Sequence, residues 1–143
     1  MISFRLLGNT GALADKIRKL ERQIETFKTE ILEESAAFLR LESPVDTGVY
    51  MDSHHVGVSQ SGPPTSSYGE TRGQSFETHS KKAEERLSAE IASLPEDSKR
   101  VVFYNNAEHA YEVEYVHGDA PYTKMRSRLP EIVDRAAARA KAT

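Results

Sequence analysis

A chain of 143 residues, 38% hydrophobic and 29% charged, suffices for one core and leaves much solvated surface. Its formal net charge of -3 gives none of the global basic character of a nucleic-acid binder, and the absence of cysteine excludes disulfides and thiolate metal sites. No stretch approaches the roughly 20 apolar residues of a membrane span, and the N-terminus is too poor in apolar residues for a signal peptide. The expectation is one soluble domain, residues 1–143, made in the cytoplasm.

Met1 to Leu7 reads as a short strand or arm, closed by Gly8-Asn9-Thr10-Gly11, where Asn9 or Thr10 can cap a helix. Leu13, Ile17, Leu20, Ile24, Phe27 and Ile31 then recur at alternating steps of four and three, continuing through Phe38 and Leu41. This predicts a helix of about 30 residues and about 45 Å. Glu34 breaks the pattern where an apolar residue was due. The spacing is also that of a coiled-coil seam. Leu32, Ala36, Ala37 and Leu39 widen the apolar face in the second half, however, so a core helix docked on a small sheet is preferred, with its C-terminal half the more buried.

Ser43-Pro44 ends the helix, because proline disfavours helical geometry in the residue before it. Asp46-Thr47-Gly48 makes a turn, and Val49 to Ser59 has strand composition, with Tyr50, Val56 and Val58 on one face. Residues 60–75, rich in Ser, Gly, Pro and Thr, read as a long exposed loop. Lys81 to Leu94 is a helix with Ala83, Leu87, Ile91 and Leu94 on one face, stopped by Pro95. Arg100 to Tyr104 is the strongest strand, and Ala107 to Val116 reads as a helical turn running into a strand. Tyr122 to Ala140 is a second amphipathic helix carrying Met125, Leu129, Ile132, Val133 and Ala136, with Pro130 either kinking it or marking its first turn. The resulting fold class is α+β, with a long N-terminal helix and a C-terminal helix packed on a small antiparallel sheet.

Four motifs invite a chemical reading. Val45-Asp46-Thr47-Gly48 matches the D-T-G of aspartic proteases, in which a homodimer supplies two carboxylates. The flanks do not fit: a long helix and Ser43-Pro44 precede it, Val49 stands where those enzymes carry Ala or Ser, and a Gly-rich flap is missing. A structural turn is the better reading. His54 and His55 are adjacent, so on a strand they face opposite ways; His79, His109 and His117 follow no chelating spacing, and no metal or other cofactor is expected. No serine lies in a G-x-S-x-G elbow, and no catalytic residue is assigned. Basic residues cluster at Lys124-Arg126-Arg128 and Arg135-Arg139-Lys141 and read as a solvated face, with DNA phosphates or an acidic neighbouring subunit as the other possible partners.

Pro44-Val45-Asp46-Thr47-Gly48 after a long helix, then a loop with Gly and Pro, then a strand ending in Asn105-Asn106, form an ordered set. Ala110, Val113-Glu114-Tyr115, Ala120-Pro121 and Arg126 complete it. The set resembles the neck or tail-completion proteins of long-tailed bacteriophages, including those labelled minor tail protein Z, over about residues 11–141. His109 stands where that family usually has Tyr, and Val116 where it usually has Gly. The resemblance implies a virion structural protein of the head–tail junction with no enzymatic activity. It implies a homo-oligomeric ring, with six copies expected, between a head-side connector or stopper and the tail terminator or tail tube. Genomic DNA would pass through the lumen without sequence-specific binding. Asp46, Thr47, Gly48, Asn105, Asn106, His109, Glu114, Tyr115, Pro121 and Arg126 are then motif or subunit-contact residues. On physical grounds Asn105-Asn106 suits a tight turn, since Asn tolerates left-handed geometry, and Glu114 is a candidate acceptor for backbone N–H groups of the following loop. A tail terminator or head-closure stopper is the nearest alternative; a free coiled-coil adaptor is another.

Overall fold

The computed structural model describes residues 10–44, 49–63, 76–116 and 118–143. Helix α1 (Thr10–Glu42) is followed by a single turn, α2 (Val49–Asp52), strand β1 (His54–Gly57) and helix α3 (Phe76–Ala92). Strand β2 (Val102–Asn105), short helix α4 (Ala110–Tyr115) and helix α5 (Pro121–Lys141) complete the chain. The two strands pair antiparallel, with His54 opposite Asn105 and Gly57 opposite Val102. The α+β class is therefore as expected. The arm at residues 1–9, the Asp46-Thr47-Gly48 turn, most of the 60–75 loop and His117 lie outside the described residues.

α1 ends where predicted. Ser43 N–H donates to the Arg40 carbonyl and its hydroxyl to that of Leu39 at 2.6 Å, so Ser43 caps the last turn before Pro44. Along the second half of the helix Ala36 and Leu39 are buried. Ala36 joins Val56 of β1 and Leu87 and Ile91 of α3 in one apolar cluster, flanked by Leu32, Leu94, Val101 and Phe103. α5 runs antiparallel along α1: Lys124 pairs with Glu42, Arg135 with Glu34 and Arg139 with Glu30. Glu34, the break in the apolar pattern, is half-buried and accepts from Arg135 Nε at 2.6 Å. The break is a contact to the neighbouring helix. Of the basic clusters of α5, Lys124, Arg135 and Arg139 thus meet acids of α1, Arg128 pairs within its own helix with Glu131, and Arg126 and Lys141 are exposed.

Three expectations need correction. Val49 to Ser59 is not one strand, because Val49, Tyr50 and Met51 are all buried. Consecutive inward side chains defeat strand alternation but suit a helical turn, which Ser53 closes by donating its N–H to the Tyr50 carbonyl. The strand begins only at His54, and Val58, expected on its inner face, is exposed. Ala107 to Val116 contains no strand: Val113 packs with Val49, Tyr50 and Ala107, and the segment coils into α4. Neither Asn105 nor Asn106 is left-handed; that conformation falls on Ala120, at φ 39°, just before α5. α3 also starts earlier than predicted, at Phe76, and Pro130 lies inside α5, whose N-terminal proline is Pro121.

Candidate functional site

Beneath the junction of α1, β1 and α5 lies a buried polar cluster centred on His54, which is fully buried. Strand alternation turns His54 and Val56 inward and leaves His55 half-buried against Glu90. His54 Nε2 lies 2.6 Å from Ser43 Oγ. That hydroxyl already donates its proton to the Leu39 carbonyl, so the imidazole carries its proton on Nε2 and donates to serine. Nδ1 is then an acceptor, met by the Tyr122 hydroxyl at 2.9 Å and by Asn105 Nδ2 at 3.2 Å. Burial, then the Arg86 and His55 charges, pull His54 down to about 3, which keeps the ring neutral. Burial pushes the Tyr122 hydroxyl above its ordinary value, so it keeps the proton it donates.

A serine beside a histidine suggests acyl-transfer chemistry. Here the proton flow is the reverse of what a nucleophile needs. The serine proton is committed to a backbone carbonyl, and the histidine donates to the serine instead of accepting from it. Both side chains are also closed off from solvent. The cluster ties the end of α1 to the start of β1 and the first turn of α5.

The motif residues occupy distinct places around it. Asn105 spans the gap between strands and α2: its amide donates to the Tyr50 carbonyl at 2.8 Å, and its oxygen accepts from Ala107 N–H at 2.9 Å. Asn106 donates to the Ser61 carbonyl at 2.8 Å and holds the loop that leaves β1. Glu114 accepts from backbone N–H groups as expected, but from the first turn of α5 and not from the loop before it. Its carboxylate accepts from Tyr122 N–H at 3.1 Å, Thr123 N–H at 2.7 Å and the Thr123 hydroxyl at 2.7 Å. These are orphan donors of the first turn of α5, where negative charge also meets the positive end of the helix dipole. Pro121 is buried at that same end. His109 precedes α4 with its ring tilted on Tyr50, Tyr115 is exposed with its ring on Tyr111, and Arg126 faces solvent. The Asn and Glu residues thus serve the frame, and Tyr115 and Arg126 face outward.

Two exposed apolar faces stand out. The first is the N-terminal half of α1. Arg139 near the end of α5 pairs with Glu30, and Lys28 donates to the Glu96 carbonyl in the turn after α3. Thr10 to Ile24, about 22 Å of helix, lies N-terminal to both of these bonds. On this stretch Leu13, Ile17, Leu20 and Ile24 are 39, 47, 58 and 58% exposed. Of the seam seen in the sequence, Phe27, Ile31 and Phe38 are half-buried, whereas Leu13 to Ile24 and, at the far end, Leu41 at 62% are exposed. The second face is on α4, where Tyr111, Tyr115 and Val116 are 69, 64 and 66% exposed.

Sequence reasoning missed the His54 cluster, although alternation with Val56 was a signal that His54 faces the core. It also missed Arg86 and Glu90 of α3, which hydrogen-bond the backbone of β1 at the His54 carbonyl and Val56 N–H. One sequence holds no signal for that pairing. Among the described residues no helix is long and apolar enough to cross a membrane, and no cluster of His, Asp and Glu is arranged to hold a metal. No protein-family model, curated protein or solved structure matches this chain.

Proposed function

We propose that this protein is a structural subunit of the bacteriophage neck, a tail-completion protein that assembles as a ring and joins the head connector to the tail. The observation that carries the reading is the bare N-terminal half of α1, an apolar seam that the domain's own core leaves uncovered. A soluble monomer rarely exposes so continuous an apolar row, whereas a subunit whose neighbours cover it does. The ordered motif set from Pro44 to Arg126 supports the particular assembly. Ring closure needs only a heterologous contact whose rotation returns on itself. In this reading the chain performs no covalent chemistry, and the Ser43–His54 pair is engaged in holding elements together.

Deleting the coding sequence from a phage genome that carries it, followed by electron microscopy of the lysate, tests the proposal. Filled heads and full-length tails that stay unjoined are expected, with joining restored by adding the purified protein. Joined, infectious particles made without the protein overturn it. Tails of irregular length would instead indicate a tail terminator, and heads that lose their DNA a stopper.

A further inference from the structure

The two exposed faces lie at opposite ends of the molecule. The antiparallel ion pairs place the N-terminus of α5 beside the C-terminal end of α1, at Glu42, and Glu114 fixes α4 to that N-terminus. The α1 seam is centred near Leu20, about 33 Å along the helix from Glu42. A copy therefore cannot cover one face with the other.

Their charges are opposite. Residues 107–123 contain Glu108, Glu112, Glu114 and Asp119 and no Lys or Arg. Glu114 is used on α5, but Glu112 is exposed and lies among Tyr111, Tyr115 and Val116 at helical spacing. On α1 one flank of the seam is formed by Lys16, Lys19 and Gln23, with no acid among them.

We propose that the N-terminal half of α1 from one copy docks on α4 of the next copy, with Leu13, Ile17, Leu20 and Ile24 covering Tyr111, Tyr115 and Val116, and Lys16 and Lys19 meeting Glu112. The inference rests on the ring reading and names the contact that builds the ring. Such a contact is heterologous, because each copy offers a different face to each neighbour. The rival occupant is the same seam of a second copy, as a parallel coiled coil. It is disfavoured by length. The bare seam runs only from Leu13 to Ile24, fewer than two heptads, and beyond it Phe27 and Ile31 are half-buried by the domain itself. A stable coil needs about three to four heptads. Self-pairing of seams would also leave the α4 face bare.

Sedimentation of the full chain and two double variants tests the contact, with circular dichroism verifying the fold. Leu20→Lys/Ile24→Lys removes the seam, and Tyr111→Lys/Tyr115→Lys removes the α4 face. The wild type is expected to assemble, each variant alone to sediment as the 16.0 kDa monomer, and an equimolar mixture to give a one-to-one pair. Lys16→Glu/Lys19→Glu should weaken assembly by about tenfold or more, and Glu112→Lys in the same chain should restore it. An α4 variant that assembles like the wild type, with no pairing in the mixture, overturns the inference in favour of seam-to-seam dimers. Assembly of both variants as wild type overturns it while leaving the neck reading intact. A wild type that stays monomeric at millimolar concentration overturns it too, and the particle assay then decides the neck reading separately.

Discussion

Lowering the pH from about 7 to about 5 should cost the fold about 2 kcal/mol through His54 alone. The ring is fully buried, and burial, followed by the Arg86 and His55 charges, depresses it to about 3. In the unfolded chain an imidazole titrates near 6.5. Between those values the unfolded chain binds a proton that the folded chain refuses. The contribution is therefore whole above about pH 6.5 and falls as pH drops toward about 3, by up to about 1.4 kcal/mol per pH unit. At about pH 5 the gap below 6.5 is about one and a half units, hence the 2 kcal/mol. Urea unfolding of the wild type and of His54→Gln at both pH values isolates the effect, because the remaining histidines and carboxylates are shared. The wild type should lose about 2 kcal/mol more than the variant on acidification. Equal losses would refute the reasoning, and would mean that the cluster admits a charged imidazole.

Glu114→Ala strands Tyr122 N–H and Thr123 N–H and should destabilise by about 1–3 kcal/mol in chemical unfolding, with the loss seen first as exchange of amide protons in the first turn of α5. Leu39→Ala, at a fully buried site, should cost about 2–5 kcal/mol, whereas Leu20→Ala on the exposed stretch of α1 should leave monomer stability within about 0.5 kcal/mol. A comparable loss at both positions would mean that this stretch is packed within the chain. Ala120→Gly removes the strain of a side chain at φ 39° and should stabilise the fold by up to about 1 kcal/mol once the greater freedom of glycine in the unfolded chain is deducted, seen as a raised midpoint of thermal unfolding.

Much of this was legible before the structure. The alternating four-and-three spacing placed α1 almost to the residue, and its widening apolar face gave the buried half, because helical periodicity is a long-range pattern that many residues vote on. That Glu114 accepts from backbone N–H groups was legible from an acid set among aromatics; that the donors belong to α5 and not to the loop before it was not. Nor was α2. Val49-Tyr50-Met51 has strand composition, and what coils it is the need to bury neighbouring side chains together, a tertiary demand with no local signature. The Asn105-Asn106 turn was misassigned for a related reason. Both side chains are occupied by partners distant in sequence, at Tyr50 and Ser61, and neither needs the left-handed geometry that Asn permits. The meeting of Arg86 and Glu90 with β1 depends on how α3 lies across the strand, which no spacing rule encodes.

That last arrangement has a consequence at the edge of the sheet. A two-stranded sheet ordinarily offers free backbone groups along both margins, and such margins recruit strands from other molecules without limit. Here the β1 margin is already occupied, with the guanidinium of Arg86 on the His54 carbonyl and the carboxylate of Glu90 on the Val56 N–H. An incoming strand would have to displace two charged groups whose burial depends on those very bonds. Strand addition at the β1 margin is thereby closed, so any runaway pairing of sheets through this side would first have to dismantle the contact between α3 and β1.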